Sequence, residues 1–198
     1  TGSLLVYDRP MSEDEDHYAV LVCDLDDGAQ LVYRDVRRIG TLRWCDEAAW
    51  QTYAARLGPE PLDPEFTAEI FATRLAKSRA AIKKVLMDQR VVVGVGNIYA
   101  TEALFAAGID PSKPATKVPH DQLVALHGHV VRILDAAIAS EGTTFRDYVS
   151  STGAPGNFQL ELFVYGREGQ PCKVCGTTLI MTHDIDARGT VLCWRCQA

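Results

Sequence analysis

A chain of 198 residues that is 47% hydrophobic can fill a sizeable core, and it contains no apolar run resembling a membrane span and no signal-peptide form at its start. A formal charge of -6 argues, taken alone, against nucleic acid as a partner. That total hides an asymmetry: residues 1–73 hold 6 Lys/Arg against 15 Asp/Glu, residues 74–148 hold 10 against 7, and residues 149–198 hold 4 against 4. The acidity sits in the first third, so a basic face elsewhere can still hold phosphate.

Residues 1–45 read as strands. Leu4 to Tyr7, Tyr18 to Val22, Gln30 to Tyr33 and Gly40 to Trp44 are separated by polar turns, of which Asp26-Asp27-Gly28 is the clearest hairpin signal. The stretches Glu13 to Asp16 and Asp24 to Asp27 read as solvated loops, while Arg34, Arg37, Arg38 and Arg43 share a basic segment. The strands suit either the later part of a longer sheet domain or a complete small meander packed on helices.

The centre reads as a helical bundle. A helix is expected over 46–57, broken by Leu57-Gly58-Pro59-Glu60-Pro61, with Asp63-Pro64 capping the next. Apolar stripes follow at Phe66, Ile70, Phe71 and Leu75, at Ile82, Val85 and Leu86, and at Leu123, Leu126, Val130, Leu134 and Ile138 in a helix opened by Pro119 and ended at Gly142. The Ser, Gly and Pro between Ser150 and Asn157 read as a mobile loop.

The last 27 residues carry the strongest signal: Cys172-Lys-Val-Cys175, seventeen intervening residues, then Cys193-Trp-Arg-Cys196. Two pairs at this spacing point to a four-sulfur tetrahedral zinc site, one ion per chain. The segment between them reads as a hairpin, with strands at Leu179 to Met181 and Thr190 to Leu192 and a polar turn from Asp184 to Gly189. So small a module draws folding energy from its metal, on the order of 10–16 kcal/mol in isolated zinc peptides. Four thiolates leave no position for an activated water, so the zinc is structural. Two disulfides or a redox pair are the alternative, but the scattered Cys23 and Cys45 suit a reducing compartment.

In Val91-Val92-Val93-Gly94-Val95-Gly96-Asn97 the glycines permit a close turn, Asn97 can cap the following helix or direct its amide outward, and free helix amides can bind an anion. Gly-x-Gly alone is a weak signal, and this one lacks a nucleotide loop's Lys-Ser/Thr. Lys83-Lys84 just upstream and Arg188 at the hairpin tip would complete a phosphate clamp that positions DNA backbone rather than reading bases. Such a grip suits an enzyme that flips a base, and Arg37-Arg38-Ile39-Gly40 offers a donor and an apolar wedge.

These residues resemble the bacterial formamidopyrimidine-DNA glycosylases. The likeness is carried by TGSL at the start, DVRRIG at 35–40, LGPEPL at 57–62, AAIKKVLMDQRVVVGVGNIYATEALFAAGIDP at 80–111, GTTFRDYV at 142–149, FQLELFVYGREGQPCKVCGTTL at 158–179 and ARGTVLCWRCQ at 187–197. It implies an α+β fold: the remainder of an N-terminal β-sandwich over 1–45, a linker and helix over 46–62, a helical domain with a helix-two-turn-helix unit over 63–149, a mobile lesion-recognition loop and linker over 150–164, and a zinc finger over 165–198. By position it assigns Asn97, Lys83 and Arg188 to backbone phosphates beside the lesion, Arg37 to the orphaned cytosine and Ile39 to the duplex wedge.

The implied activity is base-excision repair: removal of 8-oxoguanine and formamidopyrimidines, then cleavage of the abasic strand by β,δ-elimination. A proline amine assisted by a glutamate would attack C1′ and form an iminium. Those residues open the family's mature proteins and precede the present Thr1, so no catalytic residue is expected in this chain, which is expected to be inactive alone and to need a missing N-terminal segment. The implied partner is double-stranded DNA containing an oxidised purine or an abasic site, bound by a cytoplasmic, nucleoid-associated bacterial monomer without a membrane. The alternative is a non-catalytic, zinc-containing DNA-damage-binding module. Two departures stand out: Ile39 replaces the usual aromatic wedge, and the interval between the zinc pairs is one residue longer than the common form, which moves the tip carrying Arg188.

Overall fold

The computed structural model describes residues 2–12, 15–140, 142–143 and 156–198. Residues 150–155 of the expected mobile loop lie outside that set, as do residues 144–149 of the GTTFRDYV stretch and residues 13–14 of the acidic run. The chain divides into two compact units, one of Thr1–Trp44 with Ala136–Glu161, the other of Cys45–Asp135 with Leu162–Ala198.

In the first unit, strands β1 (Gly2–Tyr7), β2 (Ala19–Asp24) and β3 (Gln30–Asp35) form an antiparallel sheet in the order β1-β3-β2. Period-two alternation decides its faces: Leu5 lies opposite Val32 and both are buried, while Leu4 and Val6 are exposed. The β2–β3 hairpin turns at Gly28, whose φ of 86° is left-handed, and Asp27 Oδ1 accepts from the Ala29 amide at 3.0 Å. The strand expected at 40–44 does not form. After Asp35 a tight turn takes the chain off the ladder, and β-prone residues without a partner strand have nothing to pair with; Trp44 is fully exposed.

The second unit is helical. Helix α1 (Glu47–Ala54) starts at Asp46, whose side chain accepts from the Ala49 amide. Helix α2 (Ala68–Leu75) is capped by Thr67 rather than by the expected Asp63-Pro64, because Asp63 is used in a turn of its own, accepting from the Glu65 and Phe66 amides. Then come α3 (Ile82–Leu86), α4 (Asn97–Ala106) and α5 (His120–Ala139). Phe66, Phe71, Leu75, Ile82, Leu86, Leu104, Leu123 and Leu126 make the core, each contributing about 1.5–3 kcal/mol by burial. Ile70 and Ile138, expected in the stripes, are exposed instead.

By length and hydropathy α5 would pass for a membrane span. Asp121, Arg132 and Asp135 on it, and the His127 ring lying edge-on to Phe66 and Phe71 with centroids 5.9 and 5.3 Å away, mark it as a core helix. Burial pushes the His127 imidazole below its ordinary range, which suits a neutral ring among aromatics.

The unit ends in the expected hairpin, β4 (Ile180–Thr182) paired antiparallel with β5 (Thr190–Leu192). Its small core of Val164, Cys172, Leu179, Val191 and Cys193 is completed by Phe105 from α4. The hairpin therefore borrows apolar surface from the bundle.

Candidate metal centre and nucleic-acid interface

The four cysteines predicted from spacing converge, with all four Sγ atoms within 4.8 Å of one another. Cys172 Sγ lies 3.9 Å from Cys196 Sγ, and Cys175 Sγ 3.4 Å from Cys193 Sγ. A tetrahedral ion with Zn–S bonds of about 2.3 Å requires sulfurs roughly 3.8 Å apart, so the donor set fits zinc. Gly176, with φ 74°, closes the first knuckle where its amide donates to the Cys172 carbonyl. Thr177 hydrogen bonds draw the Cys175 thiol down to about 6, while burial pushes Cys196 up to about 12. A cation removes that conflict by deprotonating every ligand. This is a structural zinc site, closed by four protein ligands.

Glu102, buried on α4, fastens this finger. Its Oε1 accepts from the Val164 and Tyr165 amides at 2.9 and 2.7 Å, and its Oε2 from the Phe163 amide at 2.8 Å. Gln197 repeats the device, accepting from the Cys193 amide and donating to the Ile109 carbonyl, both at 3.0 Å. Neither residue stood out in the sequence, since a helical glutamate ordinarily reads as a solvated side chain.

The glycine-bearing turn before α4 is held from several sides. Gln89 Oε1 accepts from the Gly94 amide, Arg74 donates to the carbonyls of Arg90 and Val91, and the Val93 amide donates to the Pro59 carbonyl. Gly94 has φ 77°, and a side chain at Gly58 would meet the Val91 carbonyl carbon at 2.6 Å, which explains the glycine in LGPEPL. Gly96, not Asn97, occupies the cap of α4, and no side chain caps the first turn. Its leading amides carry the helix dipole's positive end. Asn97 sits at the first helical position and turns its amide to the finger, Nδ2 donating to the Gly189 carbonyl at 3.2 Å, while its buried Oδ1 has no hydrogen-bond partner.

Lys83, on α3, is fully buried. Its side chain is 0% exposed, because the finger tip covers it: Nζ donates to Thr190 Oγ1 at 2.6 Å and lies 3.6 Å from Asp186 Oδ2. Burial pushes the ammonium below its ordinary range, the Asp186 carboxylate opposes that shift, and Arg188 adds to it. Arg188 itself is exposed, with its backbone amide donating to Asp186 Oδ1 at 2.7 Å. Thus α3, the start of α4 and the finger tip bring Lys83, Asn97 and the segment carrying Arg188 together.

Arg37 and Ile39 belong to the first unit. Asp35, 1% exposed, organises their turn: its Oδ2 accepts from the Gly40 amide at 2.6 Å and its Oδ1 from the Arg37 amide at 3.3 Å. These amides, Gly40 first, hold the Asp35 carboxyl below its ordinary range. Arg38 adopts a left-handed φ of 50°, and a side chain at Gly40 would run into the Tyr33 hydroxyl. Arg37 is exposed and Ile39 is 69% exposed. Arg34 does not join them; its guanidinium lies over the Tyr18 ring, 5.2 Å from the centroid.

A helical bundle with a glycine turn leading into α4, and a four-cysteine zinc hairpin fastened to that helix, defines a zinc-finger-bearing helix-two-turn-helix protein. The family model described as Formamidopyrimidine-DNA glycosylase H2TH domain matches residues 57–149. The formamidopyrimidine-DNA glycosylase of Stutzerimonas stutzeri is 46% identical over 200 residues, covering 100% of this chain and 72% of the relative. That of Ectopseudomonas mendocina is 50% identical over 175 residues, covering 88% and 64%. Among solved structures, the MutM (Fpg) protein of Thermus thermophilus superposes with a TM-score of 0.87 at 35% identity, covering 100% of this chain and 72% of that one. The Lactococcus lactis Fpg in complex with abasic-site DNA gives 0.83 at 34%, covering 99% and 71%. The chain belongs to the formamidopyrimidine-DNA glycosylase family. It spans 64% and 72% of the length of these two curated relatives.

Proposed function

We propose that this chain is the DNA-holding, zinc-organised part of a base-excision-repair glycosylase, and that the whole protein removes oxidised purines and cleaves the abasic strand. The carrying observation is the convergence of Lys83, Asn97 and the finger tip bearing Arg188 on the uncapped start of α4. Donors and positive charges gathered at a helix N-terminus suit a phosphate, and contacts of this kind fix DNA in place without reading its sequence. In this reading Arg188 and Asn97 grip the backbone, Lys83 stands behind them, Arg37 faces the base left unpaired and Ile39 fills the vacated space. The zinc holds the Arg188 hairpin in shape. Relatives named formamidopyrimidine-DNA glycosylase, and a Lactococcus lactis Fpg variant solved with Fapy-dG DNA, support the substrate class.

Binding of the zinc-loaded protein to duplexes across a salt series tests the grip. Arg188→Ala and Asn97→Ala are expected to weaken binding for all sequences, and Arg188→Ala to reduce the salt slope by about one contact. An unchanged slope would remove Arg188 from the interface. The activity is tested on the full-length protein, by release of 8-oxoguanine or formamidopyrimidine and by borohydride trapping on DNA. A full-length protein that binds damaged duplex but neither excises nor traps is the non-catalytic module instead.

A further inference from the structure

The finger tip occupies its own clamp. Asp186 places one carboxylate oxygen 3.6 Å from the Lys83 ammonium and accepts the Arg188 backbone amide on the other. A phosphate arriving between these groups would seek the same two partners. The carboxylate also has room for more: Asp186 Oδ2 is buried without a hydrogen-bond partner, a costly state for an ionised oxygen unless a cation compensates it. Lys83 supplies the cation, and with its side chain 0% exposed no outside anion reaches hydrogen-bond distance of Nζ while Asp186 stays in place.

We infer that Asp186 is a built-in substitute for a DNA phosphate, an anionic latch that neutralises Lys83 in the free protein and is exchanged for backbone phosphate on binding. This rests on the proposed phosphate-holding role of the site. The latch keeps two cations, Lys83 and Arg188, side by side in the absence of DNA, where they would otherwise repel. It also lowers affinity, because each binding event must displace a like-charged carboxylate. The cation released from the phosphate that Lys83 takes up is offset by the one that the displaced Asp186 carboxylate draws from solution, so this contact adds little to the salt dependence. Asp184, exposed on the same turn and hydrogen-bonded to Thr182, lacks any such partner cation among the described ion pairs and serves as the control for net charge.

The experiment compares the zinc-loaded protein with Asp186→Asn, Asp184→Asn and Arg188→Ala on a short duplex across a salt series. Asn keeps the acceptor for the Arg188 amide and puts a neutral amide nitrogen where the charged oxygen faced Lys83. Asp186→Asn is expected to bind on the order of tenfold tighter than Asp184→Asn and to steepen the salt slope by about one contact. In a Lys83→Met background both gains should vanish, as a coupled pair requires. If Asp186→Asn matches Asp184→Asn while Arg188→Ala still flattens the slope, the latch is wrong and the phosphate grip stands. A gain that persists in Lys83→Met also overturns the latch. If Arg188→Ala and Asp186→Asn both leave the slope unchanged, the phosphate grip itself fails and takes the latch with it.

Discussion

In the turn over residues 35–40 one carboxylate, Asp35, presents Arg37 and Ile39 through backbone contacts within five residues, whereas the cluster around Lys83 is assembled from segments as far as 107 residues apart. The turn leaves its functional candidates exposed, and the cluster buries its central cation. A locally built turn survives damage elsewhere in the chain. A cluster built from distant segments depends on whatever keeps those segments together, here the zinc and the Glu102 anchor.

The largest expected effect comes from removing the metal. Chelation, or Cys193→Ser, should dissolve the finger and abolish the cluster, while the helical signal persists and the 35–40 turn is untouched. The pH dependence has a definite sign: zinc needs thiolates and competes with protons, so affinity falls as pH falls. Cys196, which burial holds up at about 12 without metal, supplies a proton that zinc must expel even at neutral pH, whereas Cys175, at about 6, is already mostly ionised there. Zinc release to a chromophoric chelator over a pH series checks this. Retention of the metal in acid, or no loss of it in Cys193→Ser, would contradict the assignment.

Glu102→Ala attacks the same cluster without touching the metal. It strands the Phe163, Val164 and Tyr165 amides, and three unpaired donors beside a vacated carboxylate cost on the order of 4 kcal/mol. Hydrogen exchange at these amides should accelerate well before that of α5, and denaturant melting should show the loss. A cost below about 1 kcal/mol would mean that the hairpin stands on zinc alone.

What was legible in the sequence follows the same division. The cysteine knuckles and the hairpin between them are local patterns, so their spacing carried them. The RRIG turn was visible as a basic segment with a glycine, although not the Asp35 that shapes it or the left-handed Arg38. Lys83 was legible as a helical lysine, but its burial was not, because the groups that cover it, Thr190 and Asp186, lie on the finger. Glu102 and Gln89 were invisible for a related reason: their partners are backbone amides and carbonyls, which carry no residue-type signal. The expected strand at 40–44 failed because β-propensity reports only readiness to pair.

The smallest and most selective effects belong to the exposed turn. If Arg37 faces the base left behind by flipping, Arg37→Ala should reduce discrimination among opposite bases more than it reduces overall affinity, since a direct base contact is worth about 1–3 kcal/mol against a single competitor while phosphate contacts serve every sequence. Ile39 acts through shape instead. Ile39→Ala should weaken the opened duplex by about 1 kcal/mol by removing apolar surface from the wedge, and Ile39→Phe should strengthen it, because an aromatic ring stacks on neighbouring bases as an aliphatic side chain cannot. Neither change should alter zinc content or the hydrogen exchange of residues 163–165, which belong to the other unit. The measurement is binding of the protein to duplexes carrying an abasic analogue opposite each of the four bases. Equal loss for all four in Arg37→Ala would reduce Arg37 to one more positive charge on a basic face, and the turn would then differ from the Lys83 cluster in construction but not in what it recognises.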